Sequence, residues 1–247
     1  MCFFYALSQT ARSLQNRYNL KFEFELEYPA ELTETPRYYA AGFDFPQMPV
    51  ITNEQPDQLQ YYYWGLIPAW VKTAEEARKM RGYTLNARSD TVFIKPAFRQ
   101  AVRRRRCLIP TEGFYEWRLF AGRKYPYYIY LKNQAVFSLA GIWEQWTDRA
   151  TGETVNTYSI LTTEANALLA QIHNTKKRMP VVLPPDQERR WLQEDLDTAA
   201  IAVLLRPLEA GLLAAHTISG LITSRAANRN VAALRNPYQY AGLPGLE

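Results

Sequence analysis

The stretch that most limits the fold of this chain runs from Cys107 to Thr163, where strand-like segments follow one another with no long helix between them. Cys107-Leu108-Ile109-Pro110 leads into Gly113-Phe114-Tyr115-Glu116-Trp117; residues 125–131 and 135–143 come next, then 158–163. Their β-branched and aromatic residues suit a pleated, half-buried surface. Strands this close in sequence leave no room for the crossover helices of a parallel sheet. The expected fold is therefore α+β: a single domain over residues 1–247, with a core from about 2 to 237. It is built on a curved, mostly antiparallel, barrel-like sheet with short peripheral helices.

Around this centre the remaining elements read as short. Residues 3–7 form a strand, and Ser8 or Thr10 caps a helix running to Asn19. Residues 22–36 read as a loop, 48–52 and 60–65 as strands, and 73–81 as a charged helix. Pro96 opens a helix to about Arg103, and a helix over 164–172 ends near His173. Residues 179–183 and 214–219 are strand-like, and two short helices begin at Pro184-Pro185-Asp186 and near Asp197. Residues 125–131 and 135–143 read as a hairpin across Lys132-Asn133-Gln134.

Composition narrows the function classes. With 47% hydrophobic residues the chain can bury a core, and its net charge of +5 permits a nucleic-acid partner without requiring one. The two cysteines, Cys2 and Cys107, cannot make a disulfide scaffold. With two histidines and no ligand spacing, no metal site is expected. No apolar run reaches the ~20 residues of a membrane span, and a reducing cytoplasm is the expected compartment.

Cys2 is the most reactive candidate. No leader stands before it, so lipidation is not expected. Removal of Met1 would leave a 1,2-aminothiol. Such a group attacks one aldehyde carbon twice, the amine forming an imine and the thiol then closing a thiazolidine. With ordinary pKa values of ~7.7–8.0 and ~8.5, both groups are expected to be partly nucleophilic near neutrality.

Other residues bear chemistry by context. Glu116 lies among aromatics, which raises a carboxyl pKa and suits it to acid–base work. Asn86 and Arg88 are two apart and share one side of an extended segment, an arrangement that fits a phosphate or sugar oxygen. His173 precedes Asn174-Thr175-Lys176-Lys177-Arg178-Met179-Pro180 and reads as a proton shuttle; His216 is the other histidine. The run Arg103-Arg104-Arg105-Arg106 reads as phosphate contacts or as a solvated helix end. Trp64, Trp70 and Trp117 could stack bases or fill a core.

The order of these blocks is more specific than any one of them. The Met-Cys start, WGLIPAW, NAR, the basic run into CLIPTEGFYEW, LAGIWE and His…RMPVVL occur in one chain. This resembles the SOS-response-associated peptidase (SRAP) family, whose members include proteins that shield abasic sites in single-stranded DNA. The resemblance implies that Met1 is removed, by a peptidase-like autocleavage or by the general methionine aminopeptidase, and that Cys2 forms a thiazolidine crosslink with the opened sugar. It implies that Asn86 orients the cysteine terminus or the sugar, that Glu116 is the acid–base in ring opening and crosslink reversal, and that His173 assists proton transfer. Arg88, Trp70, Trp117, Arg178 and His216 form the implied DNA-binding set. The implied partner is single-stranded DNA with abasic sites, bound by a monomer that is nucleoid-associated when engaged, and no cofactor is implied.

Two departures from the family pattern stand out. The usual start resembles MCGR, whereas Phe3 and Phe4 follow Cys2 here, and the segment from His173 to Arg178 is longer than usual. Two rival readings remain: an N-terminal-cysteine glutamine amidohydrolase, and a non-catalytic reader of single-stranded or modified DNA.

Overall fold

The structure, a computed structural model, describes residues 2–21 and 28–246. In chain order the strands are β1 (Phe4–Leu7), β2 (Arg37–Ala41), β3 (Gln47–Thr52), β4 (Gln60–Trp64), β5 (Asn86–Arg88), β6 (Arg106–Thr111) and β7 (Gly113–Phe120). They continue with β8 (Arg123–Leu131), β9 (Phe137–Thr147), β10 (Thr154–Glu164), β11 (Arg178–Pro180), β12 (Val182–Leu183) and β13 (Leu213–Thr217). The helices are α1 (Ala11–Tyr18), α2 (Ala30–Thr33), α3 (Ala74–Tyr83), α4 (Ala101–Arg104), α5 (Ala167–Ile172), α6 (Pro185–Trp191) and α7 (Thr198–Leu204).

β10, β4, β3, β6 and β9 pair in that order, and β9 pairs back onto β10, so five strands close a barrel. β5, β11 and β12 extend its rims. A second sheet, in the order β13-β8-β7-β1-β2, packs against it. Every named ladder is antiparallel except those of β10 with β4 and with β5. Tyr5, Phe114 and Ile129 of the second sheet share one buried cluster with Met48, Ile109, Ile142 and Tyr158 of the barrel. The other face of that sheet carries Ala6, Tyr115 and Tyr128 and is covered by Ile218, Ile222 and Leu234. Both faces of β7 are therefore dry at Phe114 and Tyr115, which is why neighbouring residues there are both apolar rather than alternating with polar ones.

Local signals explain the short helices. Thr10 rather than Ser8 caps α1, accepting from Ser13 N–H at 3.3 Å, and Asn19 ends it at φ 54°. Ser8 instead donates its backbone N–H at 2.5 Å and its hydroxyl at 2.7 Å to Glu112, which also accepts from Arg235 at 3.0 Å. That bond ties the C-terminal segment to the first strand. Thr73, Asn166 and Asp197 cap α3, α5 and α7 in the same way.

The expected hairpin across residues 132–134 does not form: β8 and β9 belong to different sheets. The tight hairpin joins β7 to β8, with Ala121 at φ 45° and Gly122 at φ 76°. Two positive φ values make the turn whose twist matches paired strands. Alanine in the first of those positions hid the turn from the sequence. The helix expected from Pro96 is shorter, beginning at Ala101. Of the expected 22–36 loop, residues 22–27 lie outside the described residues, and α2 occupies part of the remainder.

The arginine run divides its labour. Arg106 is fully buried, its guanidinium donating to the carbonyls of Trp191, Val102, Arg103 and Gln193. Arg105 pairs with Glu144, while Arg103 and Arg104 face solvent. The run is thus half a structural anchor.

Gly113 lets β7 lie against β8. A Cβ there would sit 2.6 Å from the Ile129 carbonyl oxygen, which is backbone and cannot step aside. Gly113→Ala is expected to destabilise the protein by ~1–3 kcal/mol, as overpacking does. A thermal melt should show this as a loss of ~2–4 °C per kcal/mol.

Candidate functional site

β1 carries the amino end of the chain between β7 and β2, so Cys2 is held at the margin of the second sheet. Cys2 is fully buried, and its thiol donates to the Phe4 carbonyl at 3.7 Å. Burial, reinforced by the charge of Glu116, pushes the thiol well above its ordinary range. In the chain that still carries Met1, the thiol is thus held as a neutral S–H. Cys107 is equally buried and equally neutral, and no carboxylate or imidazole acts on it.

Glu116 projects from β7 on the face shared with Phe114, towards the barrel. Burial pushes its carboxyl up to about 7. That is the shift expected from its aromatic surroundings, and it puts a carboxyl at the midpoint of its titration near neutral pH.

Asn166 caps the start of α5 and His173 is the residue that ends it, where the chain turns back towards β11. Its Nδ1 lies 2.8 Å from the Arg178 carbonyl oxygen. A carbonyl only accepts, so Nδ1 carries the proton and Nε2 offers a lone pair. Nε2 faces Glu116 Oε2 at 3.8 Å, longer than a direct hydrogen bond. Burial, aided by Lys176 and Arg178, lowers the imidazole pKa. A neutral imidazole thus faces a carboxyl of raised pKa, an arrangement in which one proton can be passed in either direction.

The position of His173 is fixed by a residue the sequence did not single out. Asn174 accepts from Leu119 N–H at 3.0 Å and donates to the Leu119 carbonyl at 2.8 Å. Its amide imitates a strand backbone and pins the imidazole-bearing turn to the strand that carries Glu116. The long His173–Arg178 segment was visible in the sequence, but nothing in it pointed to a contact with β7.

Asn86 opens β5, in register with Ile160 of β10. Among the described residues, neither its side-chain oxygen nor its nitrogen has a hydrogen-bond partner, although both are buried. An unsatisfied buried amide is costly and calls for a ligand or a function. Its neighbour Leu85 accepts from Trp64 Nε1 at 2.8 Å, and the Trp64 ring lies 5.2 Å from that of Tyr5. Tyr5 and Tyr158 hydroxyls meet at 2.9 Å. These contacts join β1, β4, β5 and β10 into one wall, and Trp64 is core within it.

Arg88 and Arg178 converge on a residue absent from the sequence expectations. Asp90 receives both arms of Arg88, at 3.1 and 2.5 Å, and lies 3.6 Å from Arg178. Arg178 also donates to the Thr162 carbonyl at 2.6 Å. An incoming phosphate must compete with Asp90 for both guanidinium groups.

A cleft of about 460 Å³ opens at the Glu116–His173 pair, lined also by Phe3, Phe4 and Trp117, with Lys124 and Lys176 at it; Asn86, Arg88 and Arg178 do not line it. Trp117 meets Phe4 edge-on at 5.3 Å. Trp70 is half exposed and lines no part of this cleft. His216 is not brought to it either. It shares a register position with Tyr128 and Tyr115, on the sheet face opposite Glu116. There it lies near the rings of Tyr128 and Tyr130, with Nε2 2.8 Å from the Arg235 carbonyl. Nothing in the residues around it indicates which face of β13 it occupies.

A five-stranded barrel with a flanking sheet thus brings a carboxyl of raised pKa and a neutral imidazole together at one cleft, with the charge of that carboxyl acting on a buried cysteine near the amino end. The sequence profile described as "SOS response associated peptidase (SRAP)" matches residues 1–225. The chain belongs to that family. It is 38% identical over 177 residues to the abasic site processing protein YoaM of Bacillus subtilis, covering 71% of this chain and 74% of YoaM. It is 31% identical over 182 residues to the chicken abasic site processing protein HMCES, covering 65% of this chain and 52% of HMCES. A crystal structure of a Bacteroides thetaiotaomicron protein superposes with a TM-score of 0.89 at 38% identity, covering 96% of this chain and all of that one. A Bordetella bronchiseptica protein shares the fold at 24% identity and a TM-score of 0.71, over 88% of this chain and all of that one.

Proposed function

We propose that this protein processes abasic sites in single-stranded DNA by forming a thiazolidine crosslink through Cys2 once Met1 has been removed. The observation that carries the reading is the Glu116–His173 pair at a cleft, with the charge of Glu116 acting on the buried Cys2 thiol, in a chain whose relatives are named for abasic-site processing.

The chemistry follows from the protonation states. The freed α-amine attacks C1′ of the ring-opened sugar, and the carbinolamine, protonated on its hydroxyl, loses water to give a protonated imine. Glu116, poised near neutrality, supplies the proton that water leaves with. The neutral Cys2 thiol then adds to the imine carbon. Its proton returns to the Glu116–His173 pair, and the ring closes with a net loss of one water. Reversal runs the same steps backwards, with the same carboxyl protonating the departing sulfur. The two open valences of the Asn86 amide suit a sugar oxygen and the terminal amine. Arg88 and Arg178, once released from Asp90, take phosphate oxygens, and Trp117 walls the cleft. Trp70 extends the DNA-contacting surface beyond it. The same amine-activating carboxyl could assist removal of Met1, the peptidase activity for which the family is named.

Incubation with a single-stranded oligonucleotide bearing one abasic site tests this directly. A heat-stable adduct on a denaturing gel is the expected result; its absence, with intact DNA bound normally, favours the non-catalytic reader. Asn174→Ala should slow adduct formation about tenfold, since it removes two hydrogen bonds that hold His173 to β7, each worth ~0.5–1.5 kcal/mol. A rate equal to that of the unaltered protein would remove Asn174 from the account.

A further inference from the structure

Phe3 and Phe43 take no part in the proton transfers, yet they are held beside them. Phe43 is 56% exposed and sits in the 3-10 turn Gly42–Asp44. The turn is fastened at both ends: Gly42 N–H donates to the Phe3 carbonyl at 2.9 Å, and Phe45 N–H donates to the Gly42 carbonyl at 3.0 Å. Phe45 closes it at φ 49°, a left-handed conformation unfavourable for a bulky residue. A Cβ on Gly42 would press on Leu85 and Trp64 at 3.2 Å, so the turn already lies flat on the barrel wall. The rings of Phe3 and Phe43 are 5.0 Å apart and tilted by 37°. Phe3 lines the cleft that holds Glu116 and His173. A strained turn thus keeps an aromatic ring in solvent at the edge of the reacting cluster, where burial would have been favourable.

We infer that Phe3 and Phe43 form a ledge on which the unpaired base next to the abasic sugar stacks. The inference rests on the proposed function and deepens it: the substrate is recognised by a base beside the lesion as well as by the lesion. Every base has a π-face, so the ledge tolerates any sequence. The chain has Phe3 and Phe4 where the family start has Gly and Arg, exchanging a phosphate contact for stacking surface.

The test uses fluorescence anisotropy with an oligonucleotide carrying a central tetrahydrofuran residue, an abasic analogue with no aldehyde to crosslink. The tetrahydrofuran is flanked either by adenines or by further tetrahydrofuran residues. Phe43→Ala should bind the adenine-flanked strand ~5- to 150-fold more weakly than the unaltered protein, the range of one lost base–aromatic stack. On the base-free strand the two proteins should bind alike. Phe43→Leu, which keeps the bulk and lacks the aromatic face, should follow Phe43→Ala and serves in its place if that variant fails to fold. Equal affinity of variant and unaltered protein for the adenine-flanked strand overturns the ledge, as does an equal loss on both strands. Failure of the crosslinking chemistry would appear only with a true abasic site, and is read separately.

Discussion

Cys2→Ser is expected to leave no heat-stable adduct on abasic single-stranded DNA, while still yielding one that borohydride can trap. Serine keeps the α-amine and so keeps the first attack on the aldehyde. It loses the sulfur that closes the ring, and an open imine hydrolyses where a thiazolidine persists. The structure sharpens this expectation. Burial, together with the charge of Glu116, keeps the Cys2 thiol protonated, so sulfur is a poor first nucleophile here. In the proposed mechanism the amine therefore acts first and the thiol second, with Glu116 and His173 receiving the thiol proton. A Cys2→Ser protein that forms a heat-stable adduct at the normal rate would break this order. Cys107, equally buried but remote in chemistry from any base, should be replaceable by Ser without loss of the adduct.

Glu116→Gln should make the protein more stable and much less active. Burial raises the folded-state pKa of Glu116 from 4.5 to about 7. The unfolded chain releases this proton near pH 4.5 and the folded chain only near 7, so stability falls as pH rises through that window. Above pH 7 the penalty is constant, on the order of 3 kcal/mol at 1.36 kcal/mol for each pH unit. Glutamine has no charge to bury, so the variant escapes it. The melting temperatures of the two proteins should coincide near pH 4 and separate by ~6–12 °C at pH 8, the variant being higher. Adduct formation and reversal should both slow by ~10²–10⁴, the range of a lost general acid–base. A melting difference that ignores pH, or a reversal rate equal to that of the unaltered protein, would contradict the assignment. Such a carboxyl is costly to keep buried, which argues for a functional reason to retain it.

Some of this was legible in the residues. Thr10 and Asn19, Thr73 and Asp197 are local signals, and the helices they bound lie where those signals put them. The strand-rich centre was equally readable, because β-branched and aromatic runs with short gaps have few other solutions. The β7–β8 hairpin was not, because Ala121 occupies a position where Asn, Asp or Gly would have announced it. Glu116 could be suspected of a raised pKa from its neighbours, but its pairing with His173 spans 57 residues of chain and is a property of the fold alone. Asp90 and Asn174 were invisible for the same reason: each acts through a partner that only tertiary structure supplies. His216 failed in the opposite way. Its chemistry was plausible, but a strand has two faces, and it lies on the one turned from the cleft. The departure at Phe3 and Phe4 is legible in the sequence, but the Phe43 ring that lies 5.0 Å from Phe3 is brought there by the fold alone.

Mass spectrometry of the amino-terminal peptide tests the central claim most directly. After incubation with abasic single-stranded DNA and digestion of both polymers, the account expects a peptide that begins at Cys2, lacks Met1 and carries the sugar remnant less one water. An adduct on a lysine, or an unmodified amino-terminal peptide in a sample whose DNA is crosslinked, would contradict it.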